Sequence, residues 1–142
     1  MAPSEPLAAA ERLYAALESE DVADILELCS LDVEVHYPSP GQLSYGGHRQ
    51  GRDGVAGFLD AHDAAEEILE FAVSRMIADG DTVIAMGTFT GRARPSGREW
   101  STRFVHHLTF SGELLRRGRH SSTLPPPWPP APLPIQARVT DA

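Results

Sequence analysis

Lysine and asparagine are absent from the 142 residues, and cysteine occurs once, at Cys29. A lone cysteine excludes an internal disulfide and suits a reducing compartment. No apolar run approaches the roughly 20 residues of a membrane helix. The opening Met-Ala-Pro-Ser-Glu-Pro has neither the basic start nor the apolar core of a secretory signal. The expectation is a cytoplasmic protein. Positive charge is scarce as well: twelve arginines face twenty acidic residues, for a formal charge of -8. Phosphate backbones and anionic bilayers select basic faces, so neither a nucleic acid nor a membrane is an expected partner. Lysine and asparagine share AA-starting codons, and their joint absence beside abundant Ala, Gly, Pro and Arg indicates a GC-rich gene.

What is present is organised around the stretch from Arg98 to Phe110. Alternate side chains of a strand point to opposite faces, which puts Trp100, Phe104, His106, Leu108 and Phe110 on one side. Glu99, Ser101, Arg103, His107 and Thr109 take the other. The adjacent His106 and His107 therefore cannot chelate one ion, and no metal site is expected. His106 belongs to the apolar face, either as a core residue or as a catalytic one.

Before this strand the spacing calls for three helices. Ser4 can cap the first, whose Leu7, Ala10, Leu13, Tyr14 and Leu17 share a face. Asp21 caps a short second helix with Val22, Ile25, Leu26 and Cys29. Asp53 is placed to cap a third, with Val55, Phe58, Leu59 and His62 at i, i+3, i+4 and i+7 and His62 at the wet edge. Between the second and third, Asp32 to Tyr37 alternates as a strand stopped by Pro38. Ser39 to Gly51 reads as a long loop bearing Tyr45, His48 and Arg49, either a lid or a plain solvated loop. It lacks the Gly-Lys-Ser/Thr ending of a phosphate loop. Two further strands, Leu69 to Ala78 and Thr82 to Gly91, flank Asp79-Gly80-Asp81, a hairpin signal. Ala85 and Gly87 on the inward face either leave room for a ligand or mark close packing and strand coiling. Helices followed by a meander spell α+β: a cone-shaped, curved antiparallel sheet packed on three helices of the N-terminal half.

The order of these elements, with Tyr45-Gly46-Gly47-His48-Arg49-Gln50-Gly51-Arg52-Asp53-Gly54-Val55, Ala78-Asp79-Gly80-Asp81 and Phe104-Val105-His106, resembles the SnoaL-like, ketosteroid-isomerase-like branch of the nuclear-transport-factor-two superfamily. The resemblance spans Leu7 to Leu115. It implies a conical pocket and leaves activity open, because the fold hosts isomerases, cyclases, epoxide hydrolases, dehydratases and binding domains. By the resemblance, the steroid isomerases' catalytic tyrosine falls on Leu13, one place before Tyr14. Their general-base aspartate falls on Tyr37 and their protonated aspartate on His106. All three positions differ, so steroid isomerisation by that route is not expected. Nor does the inward face of the Trp100 to Phe110 strand supply a carboxylate for an epoxide hydrolase.

The chemistry that remains is acid/base. A neutral imidazole in an apolar cavity makes His106 a general base or proton shuttle, and Tyr37, with Tyr14, can donate a phenolic hydrogen bond to a carbonyl or enolate. Tyr45, Phe58, Phe89, Trp100 and Phe104 would grip an apolar ring system. The expectation is a cofactor-independent isomerase, cyclase or dehydratase acting on a small hydrophobic carbonyl compound. The alternative is a non-catalytic ligand-binding or dimeric interaction domain, with a homodimer pairing through the outer sheet face around Ile84 and Val105.

The domain is expected over residues 1–115. Residues 116–142, with seven of the twelve prolines between Pro125 and Pro134, are expected to form a disordered tail. A proline-rich ligand for a partner domain is the functional alternative. Shifting the reading frame from Gly118 permits Glu-Ala-Phe-Val-Asp-Thr and an alanine-rich run, as relatives end. A frameshifted tail would leave the sheet without its closing strand and a neighbouring edge unpaired.

Overall fold

The computed structural model describes residues 5–38 and 45–122. The element order is α1 (Glu5–Ser19), α2 (Val22–Glu27), β1 (Cys29–Tyr37), β2 (Gly47–Gln50), α3 (Gly51–Ala65), β3 (Glu66–Asp79), β4 (Thr82–Ala93), β5 (Glu99–Ser111) and β6 (Leu114–Ser122). Six strands form one curved, unclosed sheet in the order β2-β1-β6-β5-β4-β3. All neighbours run antiparallel except β1 and β6, which are parallel. α1 lies over β3, β4 and β5, while α3 covers β1 and β2 and touches β3.

The helices bury the stripes their spacing dictates. Ala10, Leu13 and Tyr14 of α1 are buried, as are Ile25 of α2 and Val55 of α3. Asp21 caps α2, its side chain accepting from the Asp24 amide at 3.0 Å. Asp53 does not cap α3: the helix starts at Gly51 after Gln50, leaving Asp53 in the first turn, where its charge favours the helix N-terminus. Ser4 lies outside the described residues. The Arg52 guanidinium ties α3 to β1 by donating twice to the Cys29 carbonyl, at 2.8 and 3.0 Å. Cys29 itself is buried, and burial pushes its thiol up to about 11 against the opposing charge of Arg52.

β5 alternates as its sequence requires: Trp100, Phe104, Leu108 and Phe110 are buried, and Glu99, Ser101, Arg103 and His107 are exposed. The Asp79–Thr82 pair closes a two-residue hairpin whose first loop position, Gly80, has φ +61, a backbone state glycine adopts without steric cost. Gly87 marks close packing and not ligand room. A Cβ there would collide with the Ala72 carbonyl and come within 2.7 Å of the Phe104 ring. It faces β3 beside a bulge between Val73 and Arg75, where Ser74 Oγ donates to the Met86 carbonyl at 3.1 Å, and this irregularity helps bend the sheet.

Three expectations are corrected. The loop from Ser39 to Gly51 contains strand β2, which carries His48 and Arg49 and pairs with β1; residues 39–44 lie outside the described residues. The sheet does not end at Leu115. Residues 116–122 complete β6, which pairs with both β5 and β1, so neither neighbour is left as an open edge. The chain can enter the sheet here because Leu115, Gly118 and His120 face inward between arginines that face out. The proline-rich segment and the remainder of the frameshift proposal, from Thr123 onward, lie outside the described residues. Finally, the parallel β1–β6 pair makes the sheet mixed, a nonlocal return that a run of local hairpin signals does not reveal.

Candidate functional site: a histidine chain and a buried carboxylate

Between the concave sheet face and the helices lies a cavity of about 900 Å³. Tyr14, Tyr37, Phe58, Phe89, Trp100, Phe104 and His106 all line it. Tyr45 does not. It is fully buried behind the wall, edge-on to Tyr37 with centroids 5.2 Å apart and to His62 at 4.6 Å.

Strand register builds one end of the cavity. His106 of β5 is the direct cross-strand partner of His120 of β6, and the parallel pairing of Val35 with Gly118 carries Tyr37 alongside His120. Tyr14 reaches down from α1. Its Oη lies 2.6 Å from His106 Nδ1, with the phenol and imidazole planes within 3° of parallel. On the far side, His106 Nε2 lies 2.9 Å from His120 Nδ1, and His120 Nε2 lies 2.9 Å from Ser122 Oγ. Phe104 stacks on His106 at 4.4 Å, and Tyr37 stacks on His120 at 4.1 Å.

Among the described residues, neither ring has an ion-pair partner. Burial, and secondarily the neighbouring His120, lowers His106 to about 3. Burial, and secondarily His62, lowers His120 to about 4. Both imidazoles are therefore neutral at pH 7. Burial also raises Tyr14 well above the usual phenol range. Burial and then Glu66 raise Tyr37, against a hydrogen bond from Tyr45. Both tyrosines hold their protons and remain donors.

The other end of the cavity centres on Glu66, the first residue of β3, only 3% exposed. Trp100 Nε1 donates to its Oε2 at 2.7 Å, and His62 Nε2 lies 3.1 Å from its Oε1 across one helical turn. His62 thus faces the cavity and not the wet edge of its helix. Glu66, His62 and His120 are site residues that sequence reasoning did not select. The i, i+4 spacing of His62 and Glu66 was the available signal for the first two, and cross-strand register was the missing one for His120. Among the described residues, no group of three His, Cys, Asp or Glu side chains could hold a metal ion.

Three helices laid over one side of a curved six-strand sheet, with a cavity between the layers, define the nuclear-transport-factor-two-like class of folds. The chain belongs to the SnoaL-like domain family, whose pattern matches residues 10–118. Solved structures share the fold. An NTF2-like protein from Burkholderia xenovorans is 22% identical over 86% of this chain and 92% of its own, with a TM-score of 0.75. TerC, crystallised with polyporic acid, is 26% identical over 84% of this chain and 92% of its own, with a TM-score of 0.75. A Mesorhizobium loti protein assigned as a SnoaL-like polyketide cyclase is 15% identical over 81% of this chain and 97% of its own, with a TM-score of 0.68. No curated protein matches the sequence. Among the described residues, no helix is long and apolar enough to cross a membrane.

Proposed function

We infer that this protein is a cofactor-independent acid/base enzyme, an isomerase, cyclase or dehydratase, acting on a small hydrophobic carbonyl compound. The observation that carries the reading is the 2.6 Å contact between Tyr14 Oη and His106 Nδ1 at the wall of a cavity large enough for a multi-ring guest. Aromatic faces at Phe58, Phe89, Trp100 and Phe104 suit an apolar cyclic body. TerC's polyporic acid is a ligand of that kind, and the cyclase assignment of the Mesorhizobium loti protein agrees with the reaction class.

His106 acts as a proton shuttle and not as a resident base. A ring titrating at about 3 holds too little driving force to abstract a proton unaided at pH 7, but it passes one between hydrogen-bonded neighbours. Tyr37, the second catalytic residue, donates its phenolic hydrogen bond to guest oxygen, while Tyr14, whose own proton is directed at His106, receives a guest O–H. Charge that develops on oxygen is stabilised by such donors more strongly here than in water. The expected partner besides the guest is a second copy of the chain on the outer sheet face, where register brings Ile84, Met86 and Val105 together.

The test is deuterium exchange at C1 of 2-tetralone in D2O, followed by proton NMR. Wild type should accelerate the exchange over buffer, and His106→Gln should slow it about 100-fold while ligand line broadening persists. A wild-type rate in that variant would remove His106 from the chemistry. No acceleration, but thermal stabilisation by 2-tetralone, would instead support a non-catalytic binding domain.

A further inference from the structure

Four side chains form an unbroken file: Tyr14 Oη, His106 Nδ1 and Nε2, His120 Nδ1 and Nε2, and Ser122 Oγ, with successive contacts of 2.6, 2.9 and 2.9 Å. One end is a buried phenol on the cavity wall. The other is an exposed serine at the end of β6. Each contact joins one group that can donate to one that can accept, and each imidazole uses both of its nitrogens. We propose that this file is a proton wire between the cavity and solvent, with Tyr14 Oη as the atom that touches the guest, His106 and His120 as relays, and Ser122 as the exit.

The tautomers of a neutral wire are locked together. One proton lies between His106 Nε2 and His120 Nδ1, so if His106 carries its proton on Nε2, His120 Nδ1 is bare and its proton sits on Nε2 as well. Phenol is a good donor and a weak acceptor, which at the 2.6 Å contact favours donation by Tyr14 to His106 Nδ1. The resting direction therefore runs from Tyr14 to Ser122, with both rings protonated on Nε2.

That direction withdraws a proton from the guest. A guest enol or hydroxyl O–H breaks as its proton joins Tyr14 Oη, and Tyr14's own proton passes to His106 Nδ1. The His106 Nε2 proton passes to His120 Nδ1, the His120 Nε2 proton to Ser122 Oγ, and the serine proton to water. The guest is left as an oxyanion, one proton has reached solvent, and every wire residue is neutral again with its hydrogen bonds reversed. Run backward, the wire delivers a proton to a guest carbonyl oxygen, giving the enol as a C–H proton α to that carbonyl leaves to water, and the two directions together exchange the α position. The substrate class is thus narrowed to ring compounds with an ionisable oxygen, an enolisable carbonyl or a phenol-like hydroxyl.

The kinetic part rests on the acid/base reading above, while the tautomer part stands without it. The experiment is long-range proton–nitrogen NMR of the full chain labelled with 15N-histidine at pH 7, assigned with His106→Gln and His120→Gln. Both rings are expected to be neutral and protonated on Nε2. Opposite tautomers or an imidazolium at either position would overturn the wire, and protonation of both rings on Nδ1 would overturn its resting direction. Ser122→Ala, remote from the cavity, serves as the second arm. Its 2-tetralone exchange should slow about 10-fold, with ligand line broadening unchanged, and an unchanged exchange rate would remove the serine exit. Matched Nε2 tautomers in a protein that exchanges nothing would keep the wire and refute the enzyme.

Discussion

The two ends of the cavity solve the same problem in opposite ways. At Glu66 a carboxyl group is buried, its Oε2 accepting from the Trp100 N–H and its Oε1 lying 3.1 Å from the His62 ring. At His106 no charge is buried, and a file of neutral donors and acceptors satisfies the polar atoms instead. The first arrangement is costly to build and costly to break, because an ion removed from water needs specific partners. The second pins no proton in an ion pair, which is what the proposed wire requires. Structural rigidity therefore belongs to the Glu66 end, and the proposed proton movement to the His106 end.

The largest effect should come from Glu66→Leu. It strands the Trp100 indole N–H and His62 in a dry site, and a loss of about 3 kcal/mol in urea unfolding is expected. Acidification attacks the other end. His106 and His120 titrate at about 3 and 4 in the folded protein, below the ordinary value of 6.5 that the unfolded chain restores. The unfolded state therefore takes up protons first as pH falls. Their contribution is neutral above pH 6.5, and stability is lost below it until the folded rings themselves protonate. Between pH 6.5 and 5.5 the loss is about 1 kcal/mol per ring, and it should vanish from the pH profile of the His106→Gln/His120→Gln double variant. Tyr14→Phe removes one hydrogen bond without a charge and should cost about 1 kcal/mol in the same unfolding assay. Equal costs for Tyr14→Phe and Glu66→Leu would erase the contrast between the two ends. The smallest effect concerns the outer face: Val105→Arg should leave the unfolding midpoint within about 0.5 kcal/mol of wild type and shift sedimentation from dimer to monomer.

Much of the framework was legible in the sequence because its signals are local. The alternation from Trp100 to Phe110, the stripe of Ala10, Leu13 and Tyr14, and Gly80 in its hairpin each follow from side-chain period or backbone freedom. β6 was hidden because its inward face offers Leu115, Gly118 and His120 among arginines, too little apolar content to announce a strand. Its stability comes from two neighbours, one of them parallel and some eighty residues upstream. The site suffered from the same blindness. His106 could be placed on the inward face, but its partner His120 appears only once β5 and β6 are set in register. Glu66 and Glu67 are adjacent in the sequence and alike in type, and only the turn from α3 into β3 buries the first and exposes the second.

The central claim is that a guest oxygen meets Tyr14 at the inner end of an uncharged histidine file. A crystal structure of the protein with 2-naphthol tests it directly. The ring system is expected between Phe58, Phe89 and Phe104, with its hydroxyl oxygen about 2.7 Å from Tyr14 Oη and the His106 contact retained. A guest seated at Glu66 with its oxygen turned from Tyr14, or a cavity that stays empty at saturating 2-naphthol, would contradict it.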